Sequence, residues 1–155
     1  MKPLVDFIVG IDPDTDKHGV ALYANGELVE LRDLDLMGLR DYLEALDGSV
    51  VVSIEDIVSV SAIYNGRFKR GDTQAVKSMK AQNVGMCKHA QVEVERLCEH
   101  LGLKVIKQRP SKIWKDAKNK QFKLVTGWTK RSNEDQRSAA YMGFQAINQI
   151  SKGVR

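Results

Sequence analysis

The stretch FIVGID, residues 7–12, decides the fold that we expect for this chain. Its first five positions are apolar or glycine, which is typical of a strand buried on both faces, and it ends on a carboxylate, Asp12. A second run, VVVSIE at 50–55, has the same form and ends on Glu55. A charged group at the end of a buried strand is strongly unfavourable unless another group compensates it. We therefore expect both carboxylates to lie in one site.

A third carboxylate, Asp135, lies where the last predicted helix begins, in the stretch SNEDQR at 132–137. The hard cation Mg²⁺ is coordinated by carboxylate oxygens, so one ion can compensate several acids at once. Acids at the ends of three different elements predict a metal-dependent active site.

Each of these acids also has a simpler interpretation. Asp12 precedes Pro13 and could begin a turn, and Glu55 could be a solvated strand end. Ser132, followed three residues later by Asp135, resembles a capping box, which would not exclude metal binding.

Length and composition predict a single domain over residues 1–155. No apolar run reaches the roughly 18 residues that span a bilayer, and the apolar stretch after Lys2 is too short for a signal peptide. We therefore expect a cytosolic protein. Cys87 and Cys98 fall on one predicted helix, about 16 Å apart, so they cannot form a disulfide with each other.

Positive charge is concentrated in two segments, although the net charge is only +4. Residues 104–131 hold ten Lys or Arg residues and one acid, Asp116. A second basic stretch contains Arg67, Lys69, Arg70, Lys77 and Lys80, whereas residues 27–56 are acidic. This asymmetry favours a polyanionic partner over a solvated basic face without a ligand.

Hydrophobic periodicity and turn signals predict the order βββαβαβα. The strands are expected at 5–12, 18–24, 27–33, 49–55 and 103–107, and the helices near 36–46, 74–101 and 133–150. Asn25-Gly26 predicts a tight hairpin turn, Gly102 a helix end, and residues 59–72 a long loop. Three strands joined by tight turns and later strands reached through helices indicate an antiparallel meander followed by parallel pairing.

Several motifs, in order along nearly the whole chain, resemble RuvC-type Holliday-junction resolvases of the RNase H-like superfamily. They are GIDP at 10–13 followed by GVAL at 19–22, SIED at 53–56, NVG at 83–85 and NEDQRSAA at 133–140. The segment RPSKIWK at 109–115 is similar to phage-type members. The resemblance implies an α/β fold with a mixed five-stranded sheet flanked by helices.

The resemblance also implies phosphodiester hydrolysis with two Mg²⁺ or Mn²⁺ ions in each active site. Asp12 would bridge both ions, Glu55 would hold one and Asp135 the other. The family's second acidic or histidine position on the last helix falls here on Ser138, which has no charge. Either Glu134 or Asp14 compensates for it, or the site is weakened.

The basic segments would then contact phosphates that flank the cut. The residues expected to do so are Arg67, Lys69, Arg70, Lys77, Lys80, Arg109, Lys112, Lys115, Lys118 and Lys120. Tyr64 and Phe68 lie in the loop after Glu55, where the resemblance places a base-stacking aromatic. Packing of both rings to anchor the loop is the alternative, and Trp114 and Trp128 are expected in the core or in a lid.

The function expected is resolution of four-way DNA junctions by paired symmetric nicks, in a bacterial or phage-infected cell. Two symmetric cuts need two active sites, so we expect a homodimer, with part of its interface on the helix at 74–101. Alternatives are a nuclease for flaps or other branched DNA, a domain that binds branched DNA without cutting it, and an RNA-directed nuclease. Ser138 favours the binding alternative.

Overall fold

The computed structural model describes residues 5–59, 69–118 and 120–153, which form one mixed sheet with helices on both faces. The strands are β1 (Phe7–Asp12), β2 (His18–Ala24), β3 (Glu27–Leu34), β4 (Val50–Glu55) and β5 (Lys104–Gln108). The helices are α1 (Leu36–Glu44), α2 (Gln74–His100), α3 (Gln121–Thr126) and α4 (Glu134–Gly153).

The sheet has the order β3-β2-β1-β4-β5, and the predicted antiparallel meander followed by parallel strands is confirmed. β1, β2 and β3 pair antiparallel, and β4 and β5 continue from β1 in parallel. Asn25 and Gly26 both have positive φ (52° and 79°), as a primed hairpin turn requires. β1 is therefore central, and its carboxyl end lies beside that of β4.

Alternation along β1 divides the core into two layers. Val9 and Ile11 pack with Leu39 of α1 and Val94 of α2 on one face. The opposite face, which carries Ile8, packs against α4. Asp12 is four positions from Ile8, so it lies on the α4 face.

Two glycines let α4 lie directly on this face. A Cβ on Gly10 would overlap the carbonyl of Ala139, and a Cβ on Gly19 would overlap the main chain of Asp135. Gly19 is also the register partner of Asp12 across the β1–β2 pair. This close approach brings the first turn of α4 to the end of β1.

The structure corrects two local predictions, one in the basic segment and one at the start of α4. Helix α3 lies inside the basic segment, where no helix was predicted, and ends at Gly127 with φ 70°. Helix α2 buries Val84, Gln91, Val94 and Cys98, and Leu97 and Leu101 pack partly buried against the same core. Cys87 is only half-buried, and neither cysteine is in a disulfide. Across the described ranges, no helix is long and apolar enough to span a membrane.

The predicted capping box is one residue out of place. Asn133 Oδ1 accepts from the Gln136 amide at 2.8 Å, and Gln136 Oε1 accepts from the Asn133 amide at 3.0 Å. Ser132 instead accepts two hydrogen bonds from Arg137. Asp135 is thus not the capping acid, and its carboxylate is available to the site.

Candidate active site

The carboxylates of Asp12 and Glu55 meet at the carboxyl ends of adjacent strands. β1 and β4 pair parallel with Ile11 opposite Ile54, so the next residues, Asp12 and Glu55, lie side by side. Both are 4% exposed. Ser53, two residues before Glu55, donates to the carbonyl of Met142 on α4 at 2.7 Å. Side chains two residues apart in a strand lie on the same face of the sheet, so Glu55 is on the face that α4 covers.

Burial and the neighbouring Glu55 together raise the pKa of Asp12 from an ordinary 3.8 to about 8. Oδ2 of Asp12 is fully buried and has no hydrogen-bond partner in the described part of the chain. Two acids in this position hold a shared proton or need a cation between them.

Asp135 lies in the first turn of α4 and is half-buried. Burial, followed by the charges of Asp12 and Asp14, raises its pKa from 3.8 to about 6. All three acids border one cavity of about 800 Å³, together with Asp14 and Lys115. The structure thus brings together the three predicted catalytic acids.

The first turn of α4 is fixed by contacts that sequence reasoning missed. Asp33 at the end of β3 accepts hydrogen bonds from Asn133 Nδ2 at 2.8 Å and from Gln136 Nε2 at 3.1 Å. The capping residues therefore also attach the helix to the sheet. Asp33 lies at the end of an exposed strand, where nothing in the sequence separates it from a solvated acid.

Glu134 and Asp14, the two acids that were expected to compensate for Ser138, lie in different places. Glu134 is exposed and, unlike Asp14 and Asp135, does not line the cavity. Asp14 lies close enough to raise the pKa of Asp135, so of the two it is the better placed to compensate for Ser138. Ser138 is buried, and its hydroxyl has no hydrogen-bond partner among the described residues. It offsets a small part of the rise in the pKa of Asp12.

Lys115 is the lysine of this cavity that forms an ion pair with Asp12. Its Nζ lies 3.5 Å from Oδ2 of Asp12. Burial opposes its charge, but Asp12, Glu55 and Asp135 outweigh that effect and raise the pKa of Lys115 above its usual value. Sequence reasoning predicted a phosphate contact for Lys115 and not this contact with the acids.

Arg137 fixes the main chain that carries Lys115. Its guanidinium donates to the carbonyls of Trp114 at 3.0 Å, Lys115 at 2.8 Å and Ser132 at 2.9 Å. Trp114 is 1% exposed and packs against Phe122, Tyr141 and Phe144. The prediction that Trp114 lies in the core is confirmed, and Trp128 packs at the border of the same cluster.

Gln91 connects α2 to the end of β4. It is fully buried, its Oε1 accepts from the amides of Ile57 at 2.7 Å and Val58 at 3.1 Å, and its Nε2 donates to Asp56 at 2.8 Å. These bonds fix the chain directly after Glu55. A polar residue inside an apolar helical stripe was the available signal for this role.

The basic residues divide into two groups. Lys69, Lys80, Lys112 and Lys115 line the cavity with the acids, and Lys80 also contacts Asp72 at 2.6 Å. Arg70, Lys77, Arg109, Lys118 and Lys120 are exposed outside it. Tyr64, Arg67 and Phe68 lie outside the described residues, as does most of the predicted loop at 59–72.

The donor set fits a divalent cation in part. The Asp12–Glu55 pair supplies buried oxygens, one without a hydrogen-bond partner, which suits a hard cation. Within residues 5–59, 69–118 and 120–153, no three His, Cys, Asp or Glu side chains already converge closely enough to hold a metal. Asp135 and Asp14 border the same cavity and are the acids that would have to complete the coordination.

Several solved structures resemble nearly the whole chain, whereas no protein-family model and no curated protein sequence matches it. RuvC of Thermus thermophilus in complex with a Holliday junction substrate aligns with TM-score 0.65 and 14% identity, over 95% of this chain and 96% of that one. Another T. thermophilus RuvC structure gives TM-score 0.54 at 14% identity and the same coverage. A Fowlpox virus resolvase with substrate Holliday junction DNA gives TM-score 0.47 at 13% identity, over 92% of this chain and 99% of that one. The chain thus has the α/β fold of RuvC, with a mixed five-stranded sheet flanked by helices.

Proposed function

We propose that this protein is a divalent-metal-dependent endonuclease that resolves four-way DNA junctions by paired nicks. The observation that carries the proposal is the convergence of Asp12, Glu55 and Asp135 on one cavity. The same cavity has a lysine wall, formed by Lys69, Lys80, Lys112 and Lys115. The acids suit cations, and the lysines suit the phosphates of a nucleic acid. The RuvC-like fold supports a junction as the substrate.

Asp12 and Glu55 would hold Mg²⁺ or Mn²⁺, and Asp135 would complete the site, with Asp14 taking the part of the acid that Ser138 replaces. A divalent ion in such a site stabilises the charge on the attacking and leaving oxygens of a phosphodiester, and two ions can share this task. Lys69, Lys80 and Lys112 would contact phosphates near the scissile bond. They carry no sequence information, so we expect selectivity for DNA shape and a strong salt dependence.

We propose a homodimer, because a four-way junction offers two symmetry-related cutting sites. Met79 and Met86 on α2 are 58% and 53% exposed and lie seven residues apart, hence on one side of that helix. An exposed apolar surface of this kind favours association. Light scattering should give twice the monomer mass, and Met79→Glu combined with Met86→Glu should give the monomer; a wild-type monomer on junction DNA would contradict this.

A domain that binds branched DNA without cutting it is the second candidate. Two features favour it: Ser138 stands where the resemblance expects an acid, and Lys115 already neutralises part of the carboxylate charge. In this case junction binding would be tight and salt-dependent, without strand cleavage.

Cleavage of a labelled synthetic four-way junction in Mg²⁺ and in Mn²⁺ separates the two candidates. The nuclease proposal expects nicks that disappear in Asp12→Asn and in EDTA, while Asp12→Asn still binds the junction. Binding without nicks in either metal would support the binding domain, and Ser138→Asp would then test whether the missing acid is the cause. Cleavage of flaps or of RNA–DNA hybrids in preference to junctions would change the substrate class.

A further inference from the structure

We propose that Lys115 is a resident counter-ion, which neutralises the carboxylate cluster in the metal-free protein and leaves it when a divalent cation binds. The inference rests on the proposed function, in which Asp12 and Glu55 hold that cation. It adds a competition between a side chain of this protein and its metal.

The position of the ammonium group carries this inference. Lys115 Nζ lies 3.5 Å from the one oxygen of Asp12 that is buried and has no hydrogen-bond partner among the described residues. Its charge is also attracted to Glu55 and Asp135. Lys115 Nζ thus lies against the Asp12 oxygen that a bound metal would need, in the cavity that Glu55 and Asp135 also border.

The main chain of Lys115 is fixed, whereas its side chain can move. Arg137 donates to the carbonyls of Trp114 and Lys115, and Trp114 is anchored in the core. The lysine side chain is 26% exposed and borders the open cavity. A flexible four-carbon stem can therefore move the ammonium group out of the cluster without any change in the fold.

A divalent ion and the ammonium group cannot share this space, because like charges a few ångströms apart in a buried site repel strongly. Once displaced, Lys115 faces the part of the cavity lined by Lys69 and Lys112, where another cation is unfavourable unless an anion is present. A DNA phosphate would supply that anion. Metal binding and DNA binding should therefore strengthen each other, since such coupling is reciprocal.

The test is the Mn²⁺ affinity of the DNA-free protein, measured from the electron paramagnetic resonance signal of free Mn²⁺. Lys115→Met keeps the length of the side chain and removes the competing charge, so Mn²⁺ should bind about 5-fold or more tightly than in the wild type, at the lower end of common coupling strengths. Lys112→Met is the matched control: it removes a charge from the same cavity at an exposed position, and its Mn²⁺ affinity should stay within about 2-fold of the wild type. Melting curves in EDTA establish that each variant is folded.

The outcomes separate this inference from the function on which it rests. Wild-type protein that binds Mn²⁺, with unchanged or weaker binding in folded Lys115→Met, overturns the counter-ion role and leaves the nuclease proposal intact. An equal gain in both lysine variants also overturns it, because general charge would then explain the effect. If neither the wild-type protein nor folded Lys115→Met binds more Mn²⁺ than Asp12→Asn does, the metal site and the counter-ion role are refuted together.

Discussion

The floor and the wall of the cavity differ in how their charges are held in place. The floor consists of Asp12, Glu55 and Asp135, each at the end of a regular element. The wall centres on Lys115, in a segment of turns between β5 and α3, where Arg137 holds the main chain from a distance of more than twenty residues. Regular elements place charges through periodicity and register, whereas the position of Lys115 depends on a side chain that is distant in sequence.

This difference explains how much of the molecule could be predicted. The order of elements along the chain, the antiparallel and then parallel pairing and the three acids followed from apolar runs, turn residues and motif order, because strand ends and helix starts leave local signals. The contact of Lys115 with Asp12 has no local signal, since ten basic residues share its segment and nothing in their pattern separates one from another. Asp33 was missed for the same reason. Gln91 did leave a local signal, a polar residue on an apolar helical face, but its partners lie more than thirty residues away in sequence.

Removing an acid of the floor should have the largest effect on activity. We expect Glu55→Gln to lower junction cleavage by roughly 10²–10³-fold, the usual size of losing one electrostatic group at a reaction centre. Junction affinity in EDTA should stay within a few-fold of the wild type, because Glu55 is not part of the lysine wall. Glu134→Gln is the matched control, since Glu134 is exposed and outside the cavity; equal losses in both variants would contradict the assignment.

The close approach of α4 gives the largest expected effect on stability. Gly19→Ala places a methyl group against the main chain of Asp135. We expect the free energy of unfolding, measured with a denaturant, to fall by about 1–3 kcal/mol and cleavage to be impaired. Gly85→Ala is the control, because its Cβ would meet open space in helix α2, and it should stabilise by about 0.5–1 kcal/mol. Full activity in a stable Gly19→Ala variant would show that the position of Asp135 is not critical.

The attachment of the wall can be broken at Arg137. Arg137→Met leaves the carbonyls of Trp114, Lys115 and Ser132 without their donor, at a cost of about 1–3 kcal/mol in the free energy of unfolding. Arg131→Met, at an exposed position, should change stability by less than about 0.5 kcal/mol. A similar small effect in both variants would mean that the wall is held by the packing of Trp114 alone.

The support behind Glu55 should respond to Gln91. Gln91→Leu leaves the amides of Ile57 and Val58 and the carboxylate of Asp56 without their partner, so we expect a loss of about 1–3 kcal/mol and a lower turnover rate. Gln82→Leu is the control on the exposed side of α2. If turnover per folded molecule were unchanged in Gln91→Leu, Gln91 would support the fold only.

A change in pH should alter the stability of the metal-free protein, by less than the substitutions above. The pKa values of Asp12 and Asp135 are about 8 and about 6 in the folded protein, against an ordinary 3.8. Between about pH 4 and 8 these two carboxyl groups therefore bind more protons in the folded state than in the unfolded chain. The stability of the metal-free protein should therefore fall as pH rises through this window. Thermal melting in EDTA should show this fall, and Asp12→Asn should remove most of it; a flat profile in the wild type would contradict the raised pKa values of these buried acids.

Mapping of the nicks on all four strands of a labelled four-way junction tests the central proposal most directly. In Mg²⁺ or Mn²⁺ we expect two nicks at symmetry-related positions on opposite strands, with none in Asp12→Asn or in EDTA. An intact junction in both metals, while the folded protein binds it tightly, would contradict a resolvase and favour a domain that only binds branched DNA.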